Sequence, residues 1–216
     1  MGTKSEKPLL RGVLHHSAAW FAFGAGSVLV ATASNAKAAI AAAVYSLSLV
    51  VLFAISAIYH RVQWKEEGSR AVMRRADHAS IFVLIAGTYT PISVLGIGGD
   101  DGRTLLILIW AGAFAGILLS LLWVRAPKAL VAAVAVAVGW TIVPYFSEVR
   151  KLLGGGVWLI LAGGLVYTAG AIIYALRRPD PWPRVFGYHE VFHALTLIGA
   201  LLHFAVIVQI VRTAPA

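Results

Sequence analysis

AAIAAAVYSLSLVVLFAISAIYH, residues 38–60, contains no Lys, Arg, Asp or Glu and closes on a histidine. At the rise of an α-helix, such a run crosses a hydrocarbon core roughly 30 Å thick. Working outward, comparable apolar runs occupy residues 12–33, 78–97, 104–124, 129–146, 157–176 and 191–211. Hydrophobic residues make up 60% of the 216, and charged residues only 12%, about half the roughly 25% of a soluble domain. The connections are too short to bury a core of their own. The expected fold is therefore an all-α membrane protein, a single seven-transmembrane helix bundle covering residues 1–216.

With seven spans the termini lie on opposite sides, and basic residues choose between them. An inside N-terminus places Lys4, Lys7 and Arg11 in the cytoplasm, followed by Arg61, Lys65, Arg70, Arg74 and Arg75, then Arg125 and Lys128, then Arg177, Arg178 and Arg184. Only Lys37, Arg103, Arg150, Lys151 and Arg212 fall outside. The N-terminus is expected to be cytoplasmic and the C-terminus outside, in the cell membrane. The net charge of +9 needs no nucleic-acid partner, because basic loops facing anionic lipid account for it. Trp64, Trp123 and Trp182 fall at the same boundaries, where interfacial aromatics collect.

The chain has no cysteine, which excludes disulfides and thiolate metal sites. The basic N-terminus, the apolar run and Ala31-Thr32-Ala33 imitate a secretory signal. That run is longer than the ~7–15 residues of a signal core, so the first span is expected to be retained. Pro91 and Pro144 lie inside spans and should free the carbonyls of Gly87 and Trp140. Gly112, Gly116 and Gly163-Gly164 should permit close helix approach. The Ala/Val-rich stretch Val131 to Val138 reads as lipid-facing filler.

The ionisable groups inside the spans carry the functional signal, since such groups are costly in a bilayer. His60 ends the second span, Asp77 precedes the third, and His189 and His193 open the seventh. Span parity alone puts all four on the side of the N-terminus. His189 and His193 are four residues apart, so both imidazoles leave one face of a helix. With His60 they make three neutral nitrogens and leave a fourth position open, which is the coordination of a catalytic zinc whose tetrahedron water completes. His15, His16 and His78 read as interfacial or hydrogen-bonding groups. His203 lies about 15 Å deeper than His193 by helical rise, too far to share the ion, and is expected to line a polar cavity.

His189-Glu190-Val191-Phe192-His193 is also a literal H-E-x-x-H, the zinc-protease pattern in which the glutamate is the general base. The longer metzincin pattern needs glycine at 196 and histidine at 199, where this chain has Thr196 and Gly199. No acidic residue follows Glu190 to serve as a third ligand. The pattern alone does not argue for a protease.

Three blocks, Ser56-Ala-Ile-Tyr-His60, Arg74-Arg-Ala-Asp77-His-Ala-Ser-Ile81 running on through Leu84-Ile-Ala-Gly-Thr-Tyr-Thr-Pro91, and His189-Glu-Val-Phe-His193, resemble the signatures of the hemolysin III family. That family is the bacterial branch of the progestin and adipoQ receptors, which include the adiponectin receptors. The resemblance runs from Arg11-Gly-Val-Leu-His to the last helix. It implies one zinc near the cytoplasmic face held by His60, His189 and His193, Asp77 beside the zinc-bound water, and Ser56 near the site. Glu190 then serves the helix N-terminus or meets cytosolic water rather than acting as base.

The family is grouped with alkaline ceramidases, which implies hydrolysis of a membrane lipid amide or ester. On that analogy zinc acidifies its water and polarises a carbonyl, Asp77 orients the water or takes its proton, and Ser56 donates to the oxyanion. Two other classes stay open, because family does not fix function. One is a non-enzymatic, zinc-stabilised sensor or regulator of membrane state. The other is a pore-forming hemolysin, which would need polar stripes that spans so uniformly apolar lack.

Overall fold

A computed structural model of the chain describes residues 7–123 and 126–215. Lys4, Val124 and Arg125, which enter the expectations above, lie outside them. The regular structure among the described residues is helical: α1 (Val13–Ala31), α2 (Ala36–Arg61), α3 (Glu67–Pro91), α4 (Gly99–Leu122), α5 (Lys128–Gly139), α6 (Phe146–Leu153), α7 (Val157–Leu176) and α8 (Tyr188–Thr213). A lone antiparallel bridge joins Trp182 to Phe186. Six helical stretches among the described residues are long and apolar enough to cross a membrane.

The fifth of these, Lys128–Leu176, holds 49 residues, where the hydropathy pattern suggested two separate spans. Short 3-10 segments at Trp140–Tyr145 and Gly154–Gly156 interrupt it, and the chain folds back so that α5 lies against α7. Pro144 stands in the first break. Backbone groups loosened there find a side chain: the Tyr89 hydroxyl accepts from Ile142 N at 3.0 Å and donates to Gly139 O. A broken helix inside an apolar bundle survives through such substitutions. Pro91 closes α3, which runs on into a π-helical turn at Ile92–Ile97.

Neighbouring helices pack in chain order, and α8 closes the bundle against α1, α2, α3 and α7. Small residues let these helices approach. A Cβ on Gly116 would stand 2.3 Å from the Phe82 ring, and one on Gly163 would stand 2.4 Å from His203. At Gly112 and Gly164 the nearest atoms are 3.4 Å and 3.6 Å away, so those two glycines relieve less crowding. Tyr45, Phe82, Leu105, Ile109 and Ile207 are fully buried in the core.

Candidate metal centre

His60 comes from the last turn of α2, and His189 and His193 from the first two turns of α8. The contact of α8 with α2 and α3 therefore brings together residues more than 120 positions apart. All three histidines are buried, and one nitrogen from each lies within 4.8 Å of the others. His60 Nε2 and His189 Nε2 are 3.1 Å apart. Two nitrogens on one tetrahedral ion, each at roughly 2.1 Å, stand about 3.4 Å apart. With the remaining pairs within 4.8 Å, the cluster could hold a metal ion.

Asp77, on the third turn of α3, places Oδ2 3.8 Å from His60 Nε2, beyond direct hydrogen-bond range. The buried Ser56, one turn before His60, lines the same cavity as that carboxylate. Asp77, Ser56, His189 and His193 line one end of this cavity of about 160 Å³ between α2, α3, α5, α7 and α8, and Trp140, Gly164 and His203 line the other. Its walls are mostly aliphatic and aromatic: Leu52, Ile81, Leu84, Ile85, Val131 and Phe192 among them. Val131, Ala132, Ala135 and Val136 form one wall, so the Ala/Val-rich stretch is not simply lipid-facing filler.

His203 lines this cavity, but the space is mainly apolar where a polar one was expected; its ring stands edge-on to Tyr167 and its Nε2 lies 3.1 Å from Ile160 O. His78 Nε2 lies 3.4 Å from the Tyr174 hydroxyl, and His16 is exposed; both match the roles expected of them. His15 does not. It is 2% exposed, its ring lies flat on His193 with centroids 3.7 Å apart, and Phe53 meets it edge-on. Neither of its ring nitrogens makes a hydrogen bond of good geometry. The position near the start of α1 suggested an interface, but the rotation of α1 turns this residue inward.

Glu190 is 1% exposed and fully engaged. One carboxylate oxygen pairs with Arg11 Nε, and the other accepts from Gly187 N at 2.9 Å, capping α8. It serves the helix N-terminus as expected, but it is sealed from water. Each oxygen already holds a partner, an arrangement that suits a structural cap better than a general base.

The Arg11 partner belongs to a short segment before α1 that the sequence marks only as basic and as the start of the resemblance. Leu9 N and Leu10 N donate to Arg184 O and Val185 O at 3.0 Å and 3.1 Å. Lys7 Nζ reaches His60 O at 3.4 Å. Partial burial, then the charges of Arg70 and Arg11, hold the Lys7 ammonium below its ordinary range.

A family described as "Haemolysin-III related" matches residues 3–204. "Hemolysin-3" of Bacillus cereus is 30% identical over 215 residues, covering 97% of this chain and 94% of the relative. "Monocyte to macrophage differentiation factor" of Homo sapiens is 23% identical over 179 residues, covering 82% and 72%. "Adiponectin receptor protein" of Drosophila melanogaster is 40% identical over a shorter 65 residues, covering 28% and 14%. The family match and the Bacillus alignment each run nearly end to end over a bundle of apolar helices, and on that ground the chain belongs to the haemolysin-III-related family of multi-pass membrane proteins.

Proposed function

We propose that this chain is a zinc-dependent hydrolase of membrane-lipid amides or esters. The observation that carries the proposal is the convergence of His60, His189 and His193 with Asp77 at the end of an apolar-walled cavity. The three imidazoles would hold zinc, the divalent ion suited to three nitrogen ligands with one open position. Bound there, zinc would polarise a carbonyl and bring the pKa of water toward about 7.

The chain's own groups supply the rest. The aliphatic walls between α3, α5, α7 and α8 seat an acyl chain and exclude bulk water from the reacting end. Asp77 takes a proton from the water that adds to the carbonyl carbon and returns it to the leaving nitrogen or oxygen as the C–N or C–O bond breaks. Ser56 donates a hydrogen bond to the carbonyl oxygen as negative charge develops there, or holds the Asp77 carboxylate in place. The products are a fatty acid and an amine or alcohol.

Purified protein in lipid nanodiscs should turn over at least one member of a panel of sphingoid and glycerolipid amides and esters. Chelation should abolish that turnover and added Zn²⁺ should restore it. Metal-replete protein that hydrolyses nothing in a broad panel would replace this reading with a zinc-stapled regulator of membrane state.

The orientation forms part of the proposal. Seven crossings follow if the folded-back stretch Lys128–Leu176 counts as two, and the basic-residue asymmetry then sets the N-terminus and the histidine cluster at the cytoplasmic face. Ser69 and Asp100 are both exposed, at opposite ends of the bundle. In intact cells, a cysteine replacing Asp100 should react with an impermeant thiol reagent, and one replacing Ser69 should stay shielded. The chain's lack of native cysteine makes the assay clean, and the reverse labelling pattern would invert the topology.

A further inference from the structure

The geometry points to a second role for the segment before α1: we propose that Lys7–Gly12 is a latch across the three-histidine centre that sets how fast its metal ion exchanges with the aqueous phase. The inference rests on the metal reading of that centre.

Two ligand-bearing helix ends meet under this segment. Gly12 packs directly on the first, since a Cβ there would stand 2.8 Å from His60 Cβ. Its φ of 76° places the backbone in the left-handed region that favours glycine. Arg11 reaches the second, pairing with Glu190 next to His189. Leu9 and Leu10 clamp the segment to the chain entering α8 by the two backbone hydrogen bonds to Arg184 and Val185. One short strap therefore bridges the end of α2 and the start of α8.

An ion leaving the histidines has two directions to take. Beyond Asp77 the cavity beside them is walled mainly by apolar side chains, and moving a charged ion into such surroundings is strongly unfavourable. The other direction leads to water past the strap. Undocking it uncovers His60 and His189 and admits the water or chelator that an ion needs to dissociate. The Arg11–Glu190 pair resists that step, because separating it strands a carboxylate that is 1% exposed. None of the strap residues is among the three candidate ligands, so the latch acts on the rate of exchange more than on the number of ions bound.

The test follows chelator-driven zinc release from zinc-loaded full-length protein in nanodiscs. Arg11→Ala removes the ion pair, and Gly12→Ala pushes the strap off His60. Each should release zinc at least tenfold faster than wild type, while still binding one zinc per chain at saturating metal. Arg11→Lys, which keeps the charge without the planar fork, should fall between. The visible absorption of the Co²⁺-loaded variants should match that of wild type, a signature that a generally distorted site would not preserve. If Arg11→Ala does not fold, Gly12→Ala and Leu10→Pro, the latter deleting a single strap hydrogen bond, decide the matter.

Folded variants that release zinc at the wild-type rate overturn the latch and leave the three-histidine reading standing. A wild-type chain that takes up neither Zn²⁺ nor Co²⁺ overturns both. An altered Co²⁺ spectrum in the variants overturns the latch in favour of a role in shaping the coordination itself.

Discussion

Asp77→Asn should lower lipid turnover by about 10²–10⁴-fold, the usual loss when a general base is removed. The protein should keep its zinc. The substitution preserves the shape of the side chain, and the three histidines that would hold the ion lie on α2 and α8, not on α3. The drop should appear in kcat more than in KM, because Asp77 stands at the reacting end and the acyl chain is seated by α3, α5, α7 and α8 farther along the cavity. Parallel measurement of zinc by mass spectrometry decides the role. Turnover unchanged in Asp77→Asn would remove the base, and zinc lost together with turnover would make the carboxylate a ligand. Ser56→Ala should give a smaller loss, since its hydroxyl acts on the oxyanion or on Asp77 and leaves the base in place.

His193→Ala should take zinc from one per chain to a small residual fraction and lower the melting temperature. Two losses add. The ion's contribution to stability, about 2.7 kcal/mol at a free zinc concentration 100 times Kd, disappears with the ligand. The His15 ring, stacked 3.7 Å from His193, also loses its packing partner in a fully enclosed setting, and a cavity of that kind costs further stability. The control is His203→Ala, farther along the same helix, which should bind a full equivalent. Full zinc occupancy in the His193→Ala protein would refute the ligand set.

Hydropathy alone makes the membrane helices legible, because an apolar run of about 20 residues has few alternatives to crossing a bilayer as a helix. The His189–His193 pair was legible from the helical period, and span parity brought His60 and Asp77 to the same end. All four do converge among the described residues. Within the 49-residue stretch Lys128–Leu176 the hydropathy shows two apolar runs, but not how they are joined. Breaks at Trp140–Tyr145 and Gly154–Gly156 and a Tyr89 hydroxyl reaching across from α3 decide that.

What the pattern could not carry is the rotation of each helix about its own axis. A helix that is apolar nearly all round offers no stripe to say which face turns inward, so the pattern reads His15 on α1 as interfacial or hydrogen-bonding and the Ala/Val stretch of α5 as lipid-facing. Contact with neighbours settles them: Phe53 and His193 pack against His15, and Val131, Ala132, Ala135 and Val136 of α5 face the cavity. The strap is hidden for a related reason. Arg11 and Glu190 are 179 positions apart, and each alone reads as an ordinary charged residue at a membrane boundary. Hydropathy and helical period were thus enough for the apolar helices, the histidine pair and the end of the bundle where the ionisable groups meet. Which faces those groups share and what covers them came from the packing, because side-chain contact between distant helices does not depend on local period.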